Sequence, residues 1–275
     1  MKCLIPLSLL LALYQATSAN ESIRILAWNI ESGGSDTQVI IEQLQADDMP
    51  DFDIVALSEV PSSAIGQIGK ALGWSYHGGS RGGEDRLMIA WSPRFESLEQ
   101  LELRKVGNTE MPGGNNRSPI YNRFRDRKTG FEFIVMNNHF TRGKAENRNL
   151  QAKLLVEWAR QLATPTIAVG DYNLDFDFHT RKGNLAFDLI QTDNVWKWIE
   201  PKELIDTNWA DPDGDEKDNY PDSMLDFVFV AGLESEWSVT CEVVVRHGDF
   251  PDDENTSDHR PVLTVIDVHE LNFYR

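Results

Sequence analysis

Polar residues of types that work on phosphate stand beside apolar runs along this chain: Asn29, Glu59, His139, Asp171 with Asn173, Asp226, and Asp258 with His259. Glu59 and Asp258 offer hard carboxylate oxygens which, with Asn29, suit Mg²⁺, an ion that keeps several waters and bridges to phosphate. His139 and His259 are able to donate to a phosphate oxygen or to move a proton near neutral pH. A carboxylate beside a histidine fixes its tautomer and raises its basicity, a role open to Asp226. Asp171 and Asn173, in the stretch GDYNLD (170–175), are two apart, so an extended chain turns both to the same side. There they would grip a metal-bound water or a phosphate oxygen, although Gly-Asp-x-Asn also makes ordinary turns. Phosphate-ester hydrolysis needs this set: a metal to neutralise charge, a base for water, and donors around the oxygens.

Residues from distant parts of a chain meet only if a rigid frame delivers them, and the apolar runs supply one. Strands are predicted at Ile23–Trp28, Asp53–Leu57, Leu87–Trp91, Phe131–Met136, Thr166–Val169, Leu225–Val230, Val243–Val245 and Val262–Val265. Val39, Ile40 and Leu44 recur at helical spacing, and Leu150, Leu154, Leu155, Trp158 and Leu162 mark an amphipathic helix. Many strands, few helices and short turns predict two sheets with helices outside rather than a regular β-α-β alternation. Each chemical residue then falls near one end of a strand or in a loop beside it, where a scaffold holds it and solvent reaches it.

The stretches WNI (28–30), ALSEV (56–60), NNHF (137–140), GDYNLD (170–175), LDFVF (225–229) and SDHRPV (257–262) occur in the order found in the endonuclease/exonuclease/phosphatase superfamily. The chain resembles a secreted, bacterial-type member of that superfamily, which holds DNase I-like nucleases, abasic-site endonucleases, sphingomyelinases and inositol-polyphosphate phosphatases. The resemblance spans nearly all of the chain behind its N-terminal segment. It implies a four-layer α/β/β/α sandwich, two mixed β-sheets flanked by helices, with the site at the top of the sheets. It also implies roles: Asn29, Glu59 and Asp258 toward Mg²⁺ (with Mn²⁺ or Ca²⁺ as alternatives), Asp171 on the attacking water, and Asn173 on the scissile phosphate. His259 would be base or phosphate donor with Asp226 behind it, and His139 a second phosphate-facing histidine with Asp85 as its carboxylate. Arg117, in RSP, resembles a basic residue placed near the substrate phosphate. Arg142, with Lys144 and Arg148, would bind a phosphate chain or form a solvated helix face. DNase I-like chains often carry Gln before the metal Glu and Arg two residues after it. Ser58 and Pro61 stand there instead, which argues against a duplex minor groove.

Lys2, the apolar stretch Leu4 to Leu13 and the small residues Thr17-Ser18-Ala19 form a secretory signal pattern, with cleavage expected after Ala19. The stretch is shorter than the ~20 residues of a membrane span, so an exported or periplasmic chain without a stable membrane anchor is expected. Residues 20–275 are read as a single domain and a monomer. Cys3 leaves with the signal and Cys241 remains alone, which excludes an intrachain disulfide and a cysteine-based zinc site. The formal charge of −18 disfavours tight polyanion binding, while residues 117–128 gather a local basic stretch, read as a solvated strand or a basic wall. The stretch DPDGDEKD (211–218) lacks the closing Glu of a calcium loop and is read as an acidic loop. His77, His179, His247 and His269 have no motif around them, and Trp158, Trp196, Trp198 and Trp237 are read as packing. The expected function is a metal-dependent phosphodiesterase, foremost a nuclease acting on nucleic acid. Alternatives are a sphingomyelinase- or inositol-phosphatase-like ester and, in another class, a non-catalytic binding module.

Overall fold

The computed structural model describes residues 22–32, 34–112, 117–210, 213, 215, 217–219, 223–233, 237–247 and 255–268. The signal pattern, His269 and part of the acidic stretch 211–218 lie outside them. In chain order the elements are β1 (Ile23–Asn29), α1 (Thr37–Leu44), β2 (Ile54–Val60), α2 (Ile65–Leu72), β3 (Ser75–Gly78), β4 (Arg86–Trp91) and β5 (Phe95–Glu102). A short hairpin, β6 (Lys105–Val106) and β7 (Thr109–Glu110), leads to β8 (Ile120–Asp126), β9 (Glu132–His139), α3 (Ala145–Ala159) and β10 (Thr166–Asp177). Then follow α4 (Leu185–Ile190), β11 (Lys197–Trp198), β12 (Ser223–Ala231), β13 (Trp237–Val243) and β14 (Val262–Val268).

These strands build two six-stranded mixed sheets, ordered β13-β14-β1-β2-β4-β3 and β11-β12-β10-β9-β8-β5. The pairs β1–β2 and β9–β10 are parallel, and the other ladders are antiparallel. Burial on both faces explains why β1, β2 and β4 read as unbroken apolar runs. Between the sheets pack Ile25, Ile89, Phe124, Phe133, Val135, Val169 and Val228. Leu154, Leu155, Trp158 and Trp196 pack outside the second sheet, and Ile40, Leu44, Ile68 and Leu263 outside the first. Three apolar layers separate four structural ones, the α/β/β/α sandwich. Asp36 caps α1 by accepting from the Gln38 amide at 2.7 Å, and α2 stops at Gly73, whose φ of 68° only glycine adopts at little cost.

Several elements run longer than the apolar pattern shows. β9 continues through Asn137, Asn138 and His139, and β10 through the whole of GDYNLD. α2, β3, β5 and α4 are elements beyond those predicted from the sequence. The basic stretch proves to be β8, whose Arg123 and Arg125 pair with Glu132 on the solvent side, so it is a paired face and not a basic wall. The tryptophans 158, 196, 198 and 237 pack in or against the apolar layers. Among the described residues no helix is long and apolar enough to cross a membrane.

Candidate active site

The upper ends of the central strands deliver the chemical residues to one place. Asn29 ends β1 beside Ser58 of β2. In the second sheet Asp171 is registered between His139 of β9 and Asp226 of β12. His259 precedes β14 and bridges to Asn208. Asn29, His139, Asp171, Asn173, Asp226 and His259 are all buried, and Glu59 is partly exposed.

Two irregularities aim the side chains. The β2–β4 ladder shifts register between Leu57 and Val60, and Glu59 within that bulge adopts φ 54°. The β10–β12 ladder shifts between Asp171 and Phe176, with Asn173 at φ 51° and Asp175 at φ 49°. Asp171 and Asn173 are therefore not on one face of an extended strand. A local turn brings them together: Asp171 Oδ1 accepts from the Asn173 amide at 2.9 Å, and Asn173 Nδ2 donates to the Phe140 carbonyl at 3.0 Å.

Glu59, His139 and Asp171 each present one donor atom within 4.8 Å of the others. His139 Nε2 lies 3.6 Å from Glu59 Oε1 and 3.4 Å from Asp171 Oδ2. Burial, then the charges of Arg117 and His259, hold the His139 pKa well below its usual range, so the ring is neutral. Asp85, expected behind His139, is not there. Its carboxylate accepts from Ser32 Oγ and from Arg117 Nη2 (3.4 Å), and His139 Nδ1 has no hydrogen-bond partner among the described residues. Arg117 in turn stands 3.6 Å from Glu59 Oε1.

His259 is the opposite case. Its Nδ1 meets Asp226 Oδ2 at 2.7 Å, and its Nε2 faces Asp258 Oδ1 at 3.8 Å and Asp171 Oδ2 at 4.0 Å. Burial alone would disfavour the charged ring, but Asp226, Asp258 and Asp171 outweigh it and raise the pKa well above the ordinary value. Burial, aided by the charges of Asp226 and Glu59, pushes the Asp171 carboxyl up to about 7, against the pull of His259. Glu59 and Asp258 are raised as well, chiefly by burial.

Asn29 turns its amide nitrogen into this cluster, donating to Glu59 Oε1 (3.2 Å) and Asp171 Oδ2 (3.1 Å), while its oxygen accepts from the Glu31 amide at 3.1 Å. It braces carboxylates here and does not aim an oxygen at a cation. Asp258 lies outside the Glu59–His139–Asp171 group and faces His259. Arg142 sits on the rim, paired with Asp175 and donating to Asn173 Oδ1 at 3.3 Å. Arg148 is neither phosphate binder nor solvated face. It is buried, with Nη1 donating to the carbonyls of Thr141 and Arg142, and so fixes the loop after β9.

Further residues shape the site, Trp28 and Ser257 from within the stretches WNI and SDHRPV, Glu31 and Thr207 from outside any motif. Trp28 Nε1 donates to the His259 carbonyl at 2.8 Å, and Ser257 Oγ to the Asn29 carbonyl at 2.5 Å. Glu31 Oε2 accepts from the Asp258 amide at 3.1 Å, and its pKa is raised to about 7, first by burial and then by Asp258. Thr207 Oγ1 accepts from the Asp226 amide at 3.2 Å, and the Thr207 carbonyl accepts from the Arg260 amide at 3.0 Å.

The donor set fits a divalent cation. Two carboxylates and an imidazole nitrogen are ligands that divalent metal ions take. The model of the Endonuclease/Exonuclease/phosphatase family matches residues 26–259. The chain belongs to that family. Members of the endonuclease/exonuclease/phosphatase family hydrolyse phosphoester bonds, and the matched span holds every strand end described above. A family protein from Bacteroides thetaiotaomicron is 20% identical, with a TM-score of 0.68 over 91% of this chain and 99% of its own. A mannosyl-6-phosphatase of the same organism is also 20% identical, with a TM-score of 0.64 over 89% of this chain and 99% of its own. TDP2 of D. rerio, complexed with a single-strand DNA product, is 14% identical, with a TM-score of 0.69 over 90% of this chain and 99% of its own. At these identities the likeness is one of fold. No curated protein matches the chain.

Proposed function

We propose that this chain is a divalent-metal-dependent phosphodiesterase that cleaves single-stranded nucleic acid. The observation that carries the reading is the meeting, at one sheet edge, of the Glu59–His139–Asp171 donor group with the His259–Asp226 pair. When bound by Glu59 and Asp171 with His139, a divalent cation neutralises phosphate charge as a Lewis acid. As the oxygen of the attacking water bonds to phosphorus and the P–O bond to the leaving group breaks, His259, charged and held by Asp226, gives its Nε2 proton to the leaving oxygen. Asp171, whose Oδ1 is held by the Asn173 amide, takes the proton of the attacking water. Asn173 and Arg117 supply further donors where negative charge develops. Pro61 in place of a basic residue supports a single strand over a duplex. We further place the mature chain outside the cytoplasm, on the strength of its N-terminal signal pattern.

A second substrate, a small phosphomonoester, is favoured by the net charge of −18, which repels long polyanions. Likeness to a mannosyl-6-phosphatase agrees with it. The deciding experiment measures hydrolysis by the purified chain with Mg²⁺, Mn²⁺ or EDTA. Its panel is single-stranded DNA, duplex DNA, RNA, sphingomyelin, an inositol polyphosphate, mannose 6-phosphate and bis(p-nitrophenyl) phosphate. EDTA-sensitive cleavage of a single strand, collapsing by orders of magnitude in Glu59→Gln and His259→Gln, is the expected result. Turnover of monoesters alone would overturn the substrate, and unchanged turnover in both variants would overturn the site.

A further inference from the structure

Glu59 stands in a left-handed conformation that a side chain rarely adopts, inside a bulge where β2 and β4 lose their register. A bulge frees strand carbonyls from the ladder, and buried carbonyls need donors. The donor comes from the other sheet. Asn137, fully buried on β9, reaches across the sandwich with its side-chain amide and donates to the Leu57 carbonyl at 2.7 Å and the Met88 carbonyl at 3.1 Å. One carboxamide thus ties β2 and β4 together two residues before Glu59.

The opposite end of the same carboxamide explains the glycine of GDYNLD. Asn137 Oδ1 has no hydrogen-bond partner among the described residues, and a Cβ on Gly170 would lie 2.9 Å from it and 2.1 Å from the Asn138 carbonyl. Gly170 also holds φ 124°. A side chain at 170 would push against Asn137 and against the β9 backbone, so bare backbone is what leaves Asn137 its reach.

We propose that Asn137 is a positioning residue for the metal site: by bonding the carbonyls of Leu57 and Met88 across the sandwich, it holds the β2 bulge that aims Glu59. The proposal rests on the reading of Glu59 as a metal ligand, and its test separates the two. Mn²⁺ affinity of the full chain is measured by electron paramagnetic resonance, together with melting temperature, for wild type and for Asn137→Ala, Asn137→Ser, Val135→Ala and Glu59→Gln. Val135, buried on the same strand, controls for general loss of packing. The Asn137 variants are expected to bind Mn²⁺ roughly 10- to 100-fold more weakly, the range for residues that support a ligand. Val135→Ala, at a comparable melting temperature, should stay within about twofold of wild type by the same measure. If Glu59→Gln loses Mn²⁺ while the Asn137 variants retain it, the positioning role is overturned and the metal site stands. If Glu59→Gln binds as wild type does, the metal reading itself falls. In case neither Asn137 variant folds, ¹⁵N resonances of wild type are followed as Mg²⁺ is added. The Asn137 side-chain amide is expected to shift and saturate together with the Glu59 backbone amide, and an unmoved Asn137 signal would overturn the proposal.

Discussion

His259 and His139 share one pocket and are pushed in opposite directions: Asp226, Asp258 and Asp171 outweigh burial and raise the pKa of the first, while burial, then the charges of Arg117 and His259, lowers that of the second. In the proposed mechanism His259 is the proton donor. His259→Gln is expected to lower kcat by roughly 10²- to 10⁴-fold, the span of general acid–base contributions, and to lower the melting temperature as well, because Asp226 is left buried without its charged partner. Asp171 and Glu31 bear on stability in a calculable direction. A carboxyl whose folded pKa is raised favours its protonated form, so the metal-free fold loses stability from these two groups as pH rises from the ordinary carboxyl range through about 7. A bound cation relieves that penalty. The rise in melting temperature on adding Mn²⁺ should therefore be larger at pH 8 than at pH 5.5, and an equal rise at both would contradict the burden placed on these carboxyls. Glu31 also shows what sequence leaves out. It follows WNI without any pattern of its own and gains a role only when Asp258 arrives from far along the chain.

At the scale of elements, strands with continuous apolar runs were legible, because burial on both faces writes itself into composition. β1, β2, β4, β9, β12 and β14 all show this. The irregular backbone was not. Nothing in ALSEV says that the ladder slips at Glu59, and nothing in GDYNLD says that a turn, not strand alternation, brings Asp171 to Asn173. Asp85 misled for a related reason: adjacency to a strand start does not reveal that Ser32 and Arg117 claim it first. A buried ion pair at the far end of β8 is equally silent. Asp126, with no exposure, accepts from Arg94 Nη2 at 2.7 Å, from the Lys128 amide and from Thr129 Oγ1. Burial opposes its charge, but these donors win and hold its pKa below the usual value. Such a group stabilises above the ordinary aspartate range and ceases to as pH falls through its folded pKa. Asp126→Asn should cost about 3 kcal/mol at pH 7, the lower part of the range for breaking a buried pair. That difference from wild type should shrink below about pH 4, as read by chemical denaturation at each pH.

Taken whole, the molecule carries a formal charge of −18 around a site that handles phosphate. Long-range repulsion between an anionic body and an anionic strand weakens as salt shortens its reach, from about 30 Å at 0.01 M to about 8 Å at 0.15 M. The value of kcat/KM on a single-stranded oligonucleotide is thus expected to rise across that range of salt, the reverse of basic nucleases. A fall would locate an attractive basic surface that the described residues do not display. The order of strands carries a consequence for biosynthesis. β1, which bears Asn29, lies between β2 and β14, and His259 arrives on the segment that leads into β14. A polypeptide still being made holds Glu59, His139 and Asp171 long before it holds His259. Until residues past 259 have left the ribosome, the first sheet lacks a neighbour for its central strand and the charged imidazole is missing. The candidate site is therefore completed only when the segment around His259 reaches residues that were already in place.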